Sequence, residues 1–456
     1  MPCDLTKECS IIVIGAGTWG CSTALHLARR GYKDVTIYDP FPVPSAISAG
    51  NDINKVLEGG SFSEGDDQAI VAEILLAAAR QGWNHDPVFT PYFHNVGYIL
   101  AASSPEAVRT TYDREIRHHK ELFTEVKSPE EFRNTMRPGV LTGNFPGWKG
   151  WHQKSDVGWV HARKAMTSAF NEASRLGVKL VSGNARGLVK GLIMENNDVV
   201  GVRTADGLEH RADRVILSAG AHAASIIDFE NQLRPTAWTV AHIKMSPEEA
   251  KLYKDIPVLF HSEKGFFIEP DVDKLELKIC DEHPGYVNWV LPANSASGDG
   301  STNLPQSIPI PRNQIPAASA RRIREFLSEV LPQLVYRPFS HTATVWCADT
   351  PNRAFIITKH PKYPSLVVAA GDSGHGFTHL PSIGGFIVDV MEDGLDHRIA
   401  QTWSWRPETA KSFWGNNLLG RSGAGNRVQD IKETIEEGWV QGYEDSVASA
   451  HGKARL

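Results

Sequence analysis

Four consecutive apolar positions, Ile11 to Ile14, give way to a glycine turn, a segment of helical character from about Thr18, and a second apolar run, VTIYD, that closes on an acid at Asp39. A short β-branched run without alternation marks a parallel strand buried on both faces, so the pattern predicts strand, turn, helix, strand. Further along, helical character returns around Asp67 to Gln81, and a polar, loop-rich stretch runs to about Ser155. A helix, ARKAMTSAFNEASRLG, then leads into the strand VKLVSG, a hairpin-like LVKGLIMENNDVVGVRTADG, and a strand-turn RVILSAGAHA. A third strand-to-glycine turn, SLVVAAGDSGHGF from Ser365 to Phe377, precedes the helical SIGGFIVDVMEDG. Between these lie strand-like GFFIEP and KLELKICDE. In the latter, alternation sets Leu275, Leu277 and Ile279 on one face and Glu276, Lys278, Cys280 and Glu282 on the other.

Strand-to-glycine turns separated by more than a hundred residues predict one cofactor domain interrupted by insertions. The expected fold is α/β, with a discontinuous Rossmann-like domain of residues 1–58, 156–232 and 347–400. Residues 59–155 and 233–346 would build a substrate domain with a mixed β-sheet and helices, and 401–456 a polar tail over the surface.

With 456 residues the chain is long enough for two or three lobes. A formal net charge of −6, with no local Lys/Arg cluster, offers no basic field for nucleic acid. Five cysteines without a C-x-x-C read as reduced thiols, and no stretch approaches the length of a membrane span. His85 and His94 lack metal-ligand spacing, and no metal site is expected. GDSGHG has His375 where a nucleophile elbow needs glycine, so Ser373 is no hydrolase nucleophile.

Gly15, Gly17 and Gly20 follow the first strand in G-x-G-x-x-G spacing. The first permits the tight turn, the second lets a pyrophosphate approach the backbone, and the third lets the helix pack closely. Free N–H groups at the helix start, around Thr18 and Trp19, then face phosphate, and Asp39, nineteen residues after Gly20, can accept from ribose hydroxyls. Ala219 and Gly220 end a second buried strand with room for close backbone approach. The spread of glycine elements to Gly376 favours FAD, whose long body touches several chain segments.

The segments GAGTWG, TALHLARRGY, VPSAISAGNDINK, GWKGW, ENNDVVGVRTADG, NQLRPTAWTVAHI, LKICDEHPGY, WCADTPNR, GDSGHGF and LLGRSGAGNR run from residue 15 to residue 427. They resemble the fungal fructosyl amino acid oxidases, or amadoriases, within the sarcosine and pipecolate oxidase family. The resemblance implies an FAD oxidase of secondary amines that passes electrons to O2 and releases hydrogen peroxide. It sets the oxygen-activating lysine at Lys278 and a lysine near the flavin edge at Lys55. Glu282, Arg421 and Trp238 match substrate contacts, and Ser48 and Asn51 belong to a loop lining the flavin ring. Asp372, Gly374, Gly376, Phe377 and Thr378 supply the last cofactor turn. Retention of Lys278, Glu282 and Arg421 argues against a flavin carrier without catalysis.

Two departures stand out. The cysteine that commonly tethers the flavin in this family is Val345 here; Cys347 lies on the same strand face, displaced by roughly 7 Å. After GHGF the family has a lysine for the substrate carboxylate, where this chain has Thr378 and then His379. The resemblance implies a fructosyl amino acid as substrate, and the lost cation raises the alternative of an N-methyl or cyclic amino acid. Partners beyond amine and O2 are a peroxisomal import receptor, through Ala454-Arg455-Leu456, with the chain a monomer or weak oligomer.

Overall fold

Ile11 and Val13 pack to one side, and Ile12 and Ile14 to the other, which places their strand, Ser10–Ile14, in the middle of a sheet. The computed structural model describes residues 5–58, 67–291, 305–410 and 428–445. In it this strand lies between Arg214–Leu217 and Asp34–Asp39, with Tyr363–Ala370 and Lys179–Ser182 outside them, all five parallel. Ile356–His360 adds an antiparallel edge. The helices Thr18–Arg29, Ala162–Arg175 and Ile383–Met391 cover the Ile11/Val13 face. A small sheet of Val189–Glu195, Asp198–Thr204 and Glu209–Arg211 covers the other. The expected discontinuous, doubly covered parallel sheet is therefore present, assembled from both ends and the middle of the chain.

The second sheet has nine strands. In order, His341–Asp349, Arg234–Lys244, Glu276–Val287, Gly265–Ile268, Val258–His261, Tyr98–Ala102, Lys149–Gln153 and Phe123–Val126 lie side by side, and Gln429–Asp430 pairs with the end of Glu276–Val287. Neighbours are antiparallel except at Val258–His261 against Tyr98–Ala102 and at the short Gln429–Asp430 strand. The alternation read in the sequence decides the layering. Leu277 and Ile279, with Ala241 and Ile243, pack against Ile323, Phe326 and Leu327 of the helix Ala317–Val330, so the Lys278 face turns to the first sheet.

Three of these strands fall in the stretch to Ser155 that was expected to be loop-rich. Each is only four or five residues long, and their mixed composition hides them: Lys149–Gln153 carries two charged or amide ends around the buried Trp151. The helix expected over 67–81 continues to His85, burying Trp83. Residue 347 lies inside the strand His341–Asp349, which pairs along its whole length with Arg234–Lys244. Among the described residues no helix is long and apolar enough to cross a membrane.

Candidate active site

Between the two sheets lies a cavity of about 420 Å³, bounded at one end by the first glycine turn and at the other by the Lys278 face. At the glycine end the backbone does the work. Gly15 sits at φ +103°, and a Cβ on it would lie 2.6 Å from the Ser218 carbonyl; one on Gly20 would lie 1.8 Å from the Gly15 carbonyl. Gly17 begins the helix Thr18–Arg29 in an extended conformation with no side chain capping the first turn, so those N–H groups stay available to a ligand. Asp39 accepts from the Ala16 amide at 2.8 Å, the Phe41 amide at 2.9 Å and Ser45 Oγ at 2.8 Å. Burial raises its pKa in spite of these bonds. Three of roughly four acceptor positions are thus occupied, and one remains for a hydroxyl.

The last glycine turn closes over the first. Trp19 Nε1 donates to the Gly376 carbonyl at 3.1 Å. Asp372 accepts from the Ala348 amide at 2.9 Å, and the Ser373 amide donates to the Ala348 carbonyl at 2.9 Å, tying the turn to the second sheet. Gly50 is needed where its loop meets both turns: a Cβ there would lie 2.4 Å from Thr18 Oγ1 and 3.2 Å from the Phe377 ring.

At the opposite end the site is built from charge. Lys278, 1% exposed, donates to Asp52 Oδ2 at 2.6 Å and to the Asn54 carbonyl at 2.8 Å. Lys55 Nζ reaches the same Asp52 oxygen at 2.8 Å. Burial works against the charge on Asp52, but Lys278, then Lys55 and His242, hold its carboxyl far below the usual carboxylate range. Burial likewise opposes the charge on Lys55, and Asp52 more than offsets it, so its pKa is raised. Two ammonium groups on one carboxylate leave a net positive end, and Lys278 keeps one of its three N–H donors free of these two bonds. Cys280, on the same face, is pushed up to about 12 by burial and is an inert thiol.

Of the residues singled out in the sequence, Gly15, Gly17, Thr18, Trp19, Asp39, Ser48 and Lys55 line this cavity from the first segment. Ala219, Gly220, Trp238, Lys278, Glu282 and Cys347 line it from the middle of the chain and the second sheet, and Asp372, Gly374, Gly376, Phe377 and Thr378 from the last turn. Two do not. Gly20 is spent on the turn itself, and Asn51 faces helix Ala162–Arg175, its Oδ1 accepting from Arg163 Nε at 2.8 Å. Arg421 and Ala454-Arg455-Leu456 lie outside the described residues. At the departures, Thr378 faces the cavity, while His379 is buried edge-on to Phe355 and pushed down to about 4 by burial. Val345 and Cys347 both line the cavity.

Sequence reading missed Asp52, the pivot of the charged end, although it stands three residues before Lys55 in NDINK. It also missed the wall beyond Lys278, where Glu58, Tyr98 and Glu115 line the cavity. Burial and the charges of Glu58, Glu115 and Glu282 raise the Tyr98 hydroxyl well above its ordinary value. Glu58 is pushed up to about 7, by burial and then by Glu115, against the opposing pull of Arg353 and Arg114. Away from the cavity lining, His161, Asp271 and Asp273 bring ligand atoms within 4.8 Å of one another, but Asp271 already pairs with His161 at 2.9 Å and Asp273 with Lys164 at 2.5 Å.

A glycine-walled cradle with uncapped helix amides, a hydroxyl acceptor at Asp39 and a long cavity running to a fixed positive end fit a flavin dinucleotide. Residues 10–390 match the family described as DAO, FAD dependent oxidoreductase, and the chain belongs to that family. Within it the chain is similar to the amadoriases. The crystal structure of fructosyl amine:oxygen oxidoreductase (Amadoriase I) from Aspergillus fumigatus is 50% identical, with a TM-score of 0.93 over 97% of this chain and 100% of that one. The deglycating fructosamine oxidase Amadoriase II from the same organism, in complex with FSA, is 49% identical, with a TM-score of 0.92 over 96% and 98% of the two chains. L-saccharopine oxidase of Schizosaccharomyces pombe is 28% identical over 423 residues, 88% of this chain and 94% of that protein.

Proposed function

We propose that this protein is an FAD-dependent oxidase of secondary-amine amino acids whose substrates are fructosyl amino acids, with O2 as acceptor and hydrogen peroxide as product. The observation that carries the reading is the buried Lys278 on Asp52, facing the cavity four residues along the same strand from Glu282, in a chain about half identical to amadoriases over nearly its whole length. Bound FAD supplies the electron acceptor for the amine carbon and the route to O2. The chain does the rest. Gly15, Gly17 and the first amides of Thr18–Arg29 hold the phosphates, and Asp39 takes a ribose hydroxyl. Glu282 accepts from the substrate N–H and orients the carbon to be oxidised. The Lys278–Asp52–Lys55 cluster presents fixed positive charge where O2 takes on negative charge, without reorganisation at the moment of reaction.

FAD is held without a tether in this reading, because Val345 offers no nucleophile and Cys347 is buried against the Thr236 carbonyl at 3.6 Å. Acid precipitation should therefore release all the flavin into the supernatant. The uncharged Thr378 at the cavity wall favours a second reading, an N-methyl or cyclic amino acid substrate, since it removes a charge-assisted bond to a carboxylate. Oxygen uptake coupled to peroxide release, measured on the purified holoenzyme with fructosyl-valine, fructosyl-lysine, sarcosine and pipecolate, decides between them. Turnover confined to the fructosyl compounds supports the first reading, and turnover of the N-alkyl compounds alone refutes it. Delivery to peroxisomes through Ala454-Arg455-Leu456 belongs to the same proposal, since catalase there consumes peroxide. A fluorescent fusion that stays diffuse in cells would refute it.

A further inference from the structure

Behind Lys278 lies a row of polar groups that the chemistry above does not use. His242 stands directly across from Lys278 in one ladder and directly across from His341 in the next. Opposed residues project to the same face, so His341, His242 and Lys278 form one row on the cavity side of the sheet. Glu276, fully buried, accepts from Ser340 Oγ at 2.7 Å through one oxygen and meets His242 Nδ1 at 3.1 Å with the other. Although burial disfavours its charge, the His242 contact first and then Ser340 push Glu276 down to about 2, so it is a carboxylate and can only accept. Nδ1 of His242 therefore carries the ring proton, and Nε2 keeps its lone pair. That nitrogen is buried without a hydrogen-bond partner among the described residues, on a side chain 4% exposed. On the outer side, the His341 ring lies 4.7 Å from the His242 ring, its Nδ1 is 2.8 Å from Asp445 Oδ1, and its side chain is 31% exposed.

We propose that His242 is a positioning residue for Lys278, a proton carrier of fixed tautomer that connects the buried Asp52–Lys278 pair with the solvent-facing His341–Asp445 pair. The inference rests on the oxidase reading. Oxidising the amine to an imine breaks one C–H and one N–H bond and releases two electrons and two protons, and forming hydrogen peroxide from O2 consumes two of each. The electrons and the protons leave and return at different moments, and Lys278 is only 1% exposed, so a proton it gives up is replaced through the groups packed around it. Lys278 gives an Nζ proton to reduced oxygen, His242 Nε2, protonated in its turn from the His341 side, restores it, and Glu276 stabilises the brief imidazolium. The charged and titratable groups around His242 are Glu276 and Lys278 from the adjacent strand, Asp52 from the loop opposite, and His341, itself paired with Asp445, on the outer side.

Two measurements test this without any amine substrate, so they stand apart from the choice of substrate. In the holoenzyme labelled with 15N at histidine, NMR should show His242 protonated at Nδ1 and bare at Nε2 at pH 7; a proton on Nε2 alone overturns the proposal, whatever the variants do. With the flavin reduced photochemically and then mixed with O2, His242→Asn should slow reoxidation at least tenfold. Its rate should also fall with rising pH where the wild type stays flat, a dependence that a purely structural defect would not create. Reoxidation within twofold of wild type at every pH overturns it.

Discussion

The two ends of the cavity solve the same problem, holding a charged cofactor and its reaction, with different materials. The glycine end is made of backbone: uncapped amides at Thr18–Arg29 and three glycines whose missing Cβ atoms leave room for the turn. The lysine end is made of side chains, two ammonium groups sharing Asp52. The first is encoded in six consecutive residues, whereas the second joins positions 226 apart in the chain. A backbone site tolerates almost no substitution but needs no long-range assembly; a charged site tolerates conservative change but depends on the whole fold to bring its members together.

The contrast can be broken at several points. The largest effect is expected from Gly20→Ala, whose Cβ would lie 1.8 Å from the Gly15 carbonyl. A clash with backbone falls in the class of changes worth more than about 4 kcal/mol, so little folded holoenzyme should be recovered, judged by flavin content and thermal melting. Asp52→Ala leaves the buried Lys278 and the half-buried Lys55 around an empty position and should cost about 3–5 kcal/mol in denaturant unfolding. A normal unfolding midpoint in that variant would mean that the charged end carries no structural burden. Glu276 tests the acid side. Its folded pKa of about 2 lies below the ordinary 4.5, so its contribution is fully present above about pH 4.5 and is lost as pH falls toward 2. Glu276→Gln should accordingly be less stable than wild type by about 2–3 kcal/mol at neutral pH, with the gap closing in acid. The smallest effect is expected at the departure from the family pattern: Thr378→Lys adds a cation to the cavity wall and should tighten binding of a carboxylate-bearing substrate about tenfold, near 1.4 kcal/mol, read as KM. An unchanged KM would place the carboxylate elsewhere in the cavity.

What was legible in the chain follows the same division. The strand, turn, helix and acid from Ile11 to Asp39 stand in the structure as read, because each depends on neighbours in sequence. The alternation from Glu276 to Glu282 told which face of its strand meets the cavity, since a sheet's period of two leaves no choice once Leu277 and Ile279 go to the core; Leu275, read as part of that alternation, instead precedes the strand at φ +55°. Asp52 escaped notice because nothing local distinguishes it from any loop acid; its meaning arises only when Lys278 arrives from the other sheet. The strands at Tyr98–Ala102 and Lys149–Gln153 escaped for a related reason. They are short and owe their burial to neighbours across the sheet, with Phe132 packed where a Cβ on Gly150 would be, 2.7 Å from its ring.

The most direct test of the division is Lys278→Met, followed by stopped-flow absorbance of the flavin in two separate experiments. The variant should bind FAD and be reduced by a fructosyl amino acid at a rate near that of the wild type, because the glycine end and Glu282 are untouched. Reoxidation by O2 should then be slower by about 10²–10³, the usual cost of removing one preorganised electrostatic group. Equal slowing of both halves, or loss of FAD itself, would contradict the assignment of oxygen chemistry to the charged end.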